Sequence, residues 1–132
     1  MVGCSREVLH TKTWRLDLME KLIYTGEGYK TVLMAGAWRV AFLRYADSFA
    51  ALTAWERHNE THECFILLSG QGTMYTRMVD GDEPVVTKME MNVIYDVLPG
   101  EWHHITVSPD ATVLIVENAD TSPANSDKYA VN

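Results

Sequence analysis

Apolar and polar residues alternate with a period of two over short runs of this chain, and Gly, Pro, Asp and Asn fall between the runs. Successive side chains of an extended backbone point to opposite faces, so this alternation predicts half-buried β-strands. The predicted strands are Thr31 to Met34, Trp38 to Arg44, Glu63 to Leu68, Thr73 to Val79, Val85 to Met89, Val93 to Val97, His103 to Val107 and Thr112 to Val116. They are rich in Val, Ile, Tyr, Trp, Phe and Thr, which suit a pleated, half-buried surface. Turns are predicted at Ala35-Gly36-Ala37, Ser69-Gly70-Gln71-Gly72, Asp80-Gly81-Asp82-Glu83, Pro99-Gly100 and Ser108-Pro109-Asp110, where Gly or Pro supplies the special backbone angles. Short strands at regular spacing predict an all-β fold, either a closed antiparallel barrel or a double-sheet sandwich, with no crossover helices.

Around this barrel, residues 29–119, the pattern weakens at both ends. Residues 1–28, with Trp14, Leu16, Leu18 and Met19, read as an extension packing on the barrel or on a neighbouring subunit. Residues 120–132 read as a polar, loosely held tail. The stretch Ser48 to Trp55 reads as a loop leading into the segment that follows.

Composition adds exclusions. At 132 residues, 47% of them hydrophobic, the chain supports one core. A formal net charge of -7, with no basic stripe, argues against binding a phosphate backbone, so nucleic acid is not an expected partner. No apolar run approaches the roughly 20 residues that span a bilayer, and Met1 to Glu7 lacks a leader's basic and apolar regions. A cytoplasmic protein that does not enter membranes is the expectation. Cys4 and Cys64 are far apart and form no paired motif, which suits a reducing compartment.

The chemistry gathers in two places. Four of the five histidines, His58, His62, His103 and His104, fall in two short segments, His58-Asn59-Glu60-Thr61-His62-Glu63 and Pro99-Gly100-Glu101-Trp102-His103-His104. Imidazole and carboxylate are the ligands that borderline divalent ions prefer. Strand parity sorts the candidates: if Glu63 faces inward, so do Phe65 and Leu67, while His62, Cys64, Ile66 and Leu68 face outward. His103, Ile105 and Val107 share one face, so Glu63 and His103 can look into one cavity, with His58 turning in to join them. Such a His/Glu/His set leaves positions open for water or substrate. Tyr75, Tyr95, Trp102, Phe65 and Ile105 are candidate pocket residues. Arg44 joins them, since it and Arg39 lie on one strand and either, if interior, would pair with a substrate carboxylate. Glu117 reads as the cap of a strand end.

These residues resemble the cupin superfamily. Its first motif places histidines before a Glu that precedes a Gly by seven positions, as Glu63 precedes Gly70; its second places Pro and Gly shortly before a histidine, as in Pro99-Gly100-Glu101-Trp102-His103. The resemblance covers about Trp38 to Asn118. It implies a double-stranded β-helix, or jelly-roll barrel, often assembled as a homodimer, with a divalent metal (Zn, Ni, Mn or Fe) held by His58, Glu63 and His103. Where the family has its first histidine this chain has Glu56, so either Glu56 or His62 would be the fourth ligand. Met91-Asn92 stands where the family has Gly-Asp, and Val107 where it has Asn. Two functions follow from the resemblance. One is a metal-dependent enzyme of isomerase or lyase type acting on a small polar metabolite, a sugar or organic acid; oxygen chemistry would need iron. The other is a non-catalytic cupin that binds a small ligand at a degenerate metal site.

Overall fold

Ten strands make up the barrel in the computed structural model, which describes residues 19–131. They are β1 (Gly28–Ala35), β2 (Trp38–Arg44), β3 (Ala54–His58), β4 (Glu63–Ser69), β5 (Gly72–Arg77), β6 (Val85–Lys88), β7 (Ile94–Val97), β8 (Trp102–Val107), β9 (Thr112–Asn118) and β10 (Ser126–Ala130). They form two five-stranded sheets, ordered β1-β2-β9-β4-β7 and β10-β3-β8-β5-β6, and every strand ladder is antiparallel. The all-β jelly-roll expectation is met. Among the described residues the only helical element is a single 3-10 turn, Asp47–Phe49, and no helix is long and apolar enough to cross a membrane.

Three strands share one inward-facing plan, and that plan separates core from site. On β4 the inner residues are Glu63, Phe65 and Leu67, and they pair in register with Glu117, Ile115 and Val113 on β9. From the other sheet, β8 presents His103, Ile105 and Val107. Each strand thus contributes one polar rung and two apolar rungs. The apolar rungs, with Leu43, Ala41 and Met74, make the buried core, where Leu43, Val113 and Ile115 are almost wholly excluded from water. The polar rungs collect at one end of the same interior. Gly70 ends β4 with φ +74°, and a Cβ there would lie 2.5 Å from the Ala111 Cα, so only glycine lets the two backbones approach this closely.

Two strands lie outside the predicted set. Ser48 to Trp55 holds the 3-10 turn, but from Ala54 the chain is the strand β3, and the polar tail contains β10, paired with β3 along Ser126↔His58 to Ala130↔Ala54. The second sheet therefore extends past residue 119 into the polar tail. Both strands are stabilised by stacking on the face away from the interior. The Arg77 guanidinium lies 4.2 Å from the Trp55 ring centroid and Arg57 lies 4.3 Å from that of Trp102, which also meets Tyr129 edge to face. Of the N-terminal extension, Trp14, Leu16 and Leu18 lie outside the described residues, and Met19 to Glu27 precedes β1 without regular structure.

Candidate metal centre

His58 closes β3, Glu63 opens β4 and His103 lies on β8, and their side chains converge. His58 Nε2 is 3.1 Å and His103 Nε2 is 2.9 Å from the same oxygen, Glu63 Oε1. All three side chains are buried. The other nitrogen of each ring is already engaged: His58 Nδ1 lies 2.6 Å from Ser126 Oγ, and His103 Nδ1 donates to the Glu101 carbonyl at 3.3 Å. Engagement of Nδ1 fixes each ring and aims Nε2 at the common point, the arrangement that outer partners impose on metal-binding histidines.

Protons hold this cluster together as it stands. Since His103 Nδ1 donates to a carbonyl, its bond to a Glu63 carboxylate requires Nε2–H as well, and the ring is an imidazolium. Burial works against charge on His103 and His58, but the hydrogen bond and charge of Glu63 outweigh it, and both pKa values are raised above the ordinary histidine value. Burial alone would raise the Glu63 carboxyl; the bonds and charges of the two imidazoles reverse this and hold it below the usual carboxylate range.

The cluster forms the floor of a cavity of about 340 Å³, within the range of small-molecule sites. Phe65 and Ile105 line it, with Leu43, Phe49 and Ile115. Glu56 also lines it and groups with His58 and His103, the ligand atoms of all three lying within 4.8 Å of one another. His62 does not: it is exposed and pairs with Asp96 at 3.0 Å, because strand parity turns it away from Glu63.

Four pocket candidates also lie elsewhere. Tyr75 pairs with His104 in register and does not line the cavity. Tyr95 packs against the core and accepts the Glu90 N–H at 2.8 Å, and Trp102 stacks under Arg57 on the outer face. Arg44 donates to the Gly26 carbonyl and Thr112 Oγ1, outside the cavity. Arg39 is the interior arginine, paired with Glu117 at 3.0 Å. His104, buried beside Phe49, donates through Nε2 to the Ala51 carbonyl; burial lowers its pKa and keeps it neutral.

Glu117 is the residue that sequence reasoning misplaced. It is no surface cap but a buried side chain next to Glu63 in register, and its Oε2 accepts from Tyr29 Oη at 2.6 Å and from Arg39. Its Oε1 is buried without a hydrogen-bond partner, 3.7 Å from His58 Nε2. Burial and the negative charge of Glu63 raise its pKa, against the pull of Tyr29 and Arg39. Extending the alternation of Val113 and Ile115 by one step would have placed Glu117 inside.

The residues present fit a divalent ion. Donors bound to one ion at about 2.0–2.2 Å lie about 3.0–3.5 Å from one another. Two sets of ligand atoms, those of Glu56, His58 and His103 and those of His58, Glu63 and Glu117, each lie within 4.8 Å of one another, close enough to draw in around an ion. The floor also sets two buried carboxylates, Glu63 and Glu117, against one guanidinium, Arg39, and an ion would replace the imidazole protons in balancing them. A His/Glu group able to hold a metal is therefore present.

No protein-family model and no curated protein matches this chain. Solved structures do. The capsular polysaccharide assembling protein CapF of Staphylococcus aureus superposes with a TM-score of 0.58 at 20% identity, over 86% of this chain and 32% of CapF. A second CapF structure, with the inhibitor 3-isopropenyl-tropolone, gives 0.59 at 18% identity over 86% of this chain, which spans 35% of that protein. Pac13, described as a nucleoside dehydratase, matches at 0.56 and 11% identity over 90% of this chain and 92% of its own. This chain thus spans about a third of CapF but nearly the full length of Pac13. With two antiparallel five-stranded sheets enclosing the polar cluster, these matches show that the chain has the cupin-type β-barrel fold.

Proposed function

We propose that this chain is a metal-dependent enzyme that moves protons on a small polar metabolite, a sugar or organic acid, in isomerase or lyase chemistry. One observation carries the reading: the two Nε2 atoms converge on Glu63 Oε1 while both Nδ1 atoms are held by other partners. His58, Glu63 and His103 would hold the ion, which supplies a Lewis acid for a carbonyl or hydroxyl oxygen. Around it the chain's own groups orient and protect the substrate. Phe65, Ile105 and Ile115 form an apolar wall, and Arg39 fixes the Glu117 carboxylate beside the floor. Glu63 and Glu117 lie side by side with pKa values pushed apart, the condition for one group to keep a proton that the other has lost. Dehydration of a nucleoside, the activity named for Pac13, is a lyase reaction and agrees with this class. The working form is proposed to be a cytoplasmic homodimer.

A second reading, a small-ligand-binding cupin without an ion, is favoured by one fact: Glu63 Oε1 already accepts from both imidazoles, so protons alone satisfy the centre. Metal analysis after loading with Zn, Ni, Mn or Fe(II) separates the two. One ion per chain, lost in the His58→Ala, His103→Ala double variant, is the expected result. Substoichiometric metal in the wild type under every loading condition overturns the enzyme reading in favour of the second.

A further inference from the structure

We propose that Glu117 on β9, and not the residue at position 56, supplies the fourth protein ligand of this centre. The inference rests on the metal-dependent reading above. Its first support is the register: Glu117 is the direct cross-strand partner of Glu63, so the two carboxylates enter the cavity side by side from one sheet. Its second is the unpaired atom. Glu117 Oε1 is a buried acceptor without a hydrogen-bond partner on a side chain only 5% exposed. Native structures rarely leave such an atom unsatisfied unless an ion, water or ligand completes it.

Orientation supplies the third support. Tyr29 Oη at 2.6 Å and Arg39 Nη2 at 3.0 Å both hold Oε2, which leaves Oε1 facing the cluster, 3.7 Å from His58 Nε2. Ligand atoms of His58, Glu63 and Glu117 all lie within 4.8 Å of one another. Glu56 meets the same distance test with His58 and His103, but its setting differs. It is only half-buried and stands opposite Lys128 in register, so solvent and a cation are within its reach. A centre of two imidazoles and two carboxylates is richer in oxygen than one with a third imidazole, which shifts its preference toward Mn(II) and Fe(II). Tyr29 and Arg39 are then positioning residues for a ligand.

Cobalt(II) titration of the metal-stripped full chain tests this, since the visible absorption of cobalt reports its ligand set independently of any activity. Glu117→Gln should weaken cobalt and manganese binding by at least about thirtyfold and change the cobalt spectrum, whereas Glu56→Gln should change affinity by less than about threefold and leave the spectrum alone. Tyr29→Phe removes one of the two groups that hold Oε2, leaving Arg39, and should cost about tenfold in affinity with the spectrum retained; it stands in if Glu117→Gln does not fold. Wild-type affinity and spectrum in Glu117→Gln, or unaltered affinity in Tyr29→Phe, overturns the assignment while leaving the metal centre intact. Absence of cobalt binding by the wild type overturns both.

Discussion

Replacing Glu63 with Gln keeps the side chain's shape and removes one charge from between two imidazoles. In the metal-free protein Glu63 Oε1 accepts from His103 at 2.9 Å and from His58 at 3.1 Å, and all three side chains are buried. Removing one partner of a buried ion pair costs about 3–5 kcal/mol when the other must stay charged. The imidazoles escape part of that cost by releasing protons, so at about pH 6 a loss of roughly 2–4 kcal/mol is expected. The pH dependence carries the test. Both histidines have folded pKa values raised above the ordinary one of about 6.5, so their contribution is full below that value and fades as pH rises through the folded values. Once pH has risen past the folded values the rings are neutral, so toward pH 9 the loss in the variant should shrink in the direction of about 1 kcal/mol, the worth of ordinary hydrogen bonds. Urea unfolding of wild type and Glu63→Gln in the presence of a chelator, at both pH values, measures the difference. Equal losses at the two pH values, or a larger loss at the higher one, would show that the cluster is not held by imidazolium–carboxylate pairing.

Metal affinity should fall as pH drops through the raised imidazole values, by up to about a hundredfold per pH unit where two protons are displaced, and calorimetry in buffers of different ionisation enthalpy counts those protons. Ser126→Ala removes the partner 2.6 Å from His58 Nδ1 and should weaken metal binding about tenfold while costing about 1 kcal/mol of stability, read by titration and by chemical unfolding. Gly70→Ala sets a Cβ 2.5 Å from the Ala111 Cα at a φ of +74°, and a loss of about 2–4 kcal/mol should appear in thermal melts; a variant as stable as wild type would mean that the backbones can part at little cost.

Where alternation was carried by apolar residues, the chain was readable. Trp38–Arg44 is the strand the pattern predicts, and parity alone separates Glu63, which lines the cavity, from His62, which is exposed. β3 and β10 went unread because neither side of them is apolar. Glu56 and His58 face the site, Trp55 and Arg57 face a stacked layer of guanidinium and indole, and Ser126 to Ala130 lies along them as a polar edge. Their stabilising contacts lie with distant residues, which no local pattern records. Trp102, Tyr75 and Arg44 were placed in the pocket on residue type, and the pleat turned each outward. Glu117 was missed through the opposite error. Its strand was ended at Val116, one residue short, although the Val113 and Ile115 rhythm leads directly to it.

The two bonds from the imidazoles to Glu63 join one sheet to the other, since His58 and His103 belong to the sheet of β3 and β8 and Glu63 to that of β4 and β9. The two sheets cannot part at that end without pulling both imidazoles away from the Glu63 carboxylate. Amide hydrogens of β3, β4, β8 and β9 beside the floor should therefore exchange with solvent in a common opening event, whereas the exposed edge at Val85 and Val86 on β6 opens on its own and earlier. An ion seated on the same side chains would tie that seam more tightly, so that its release loosens both sheets together.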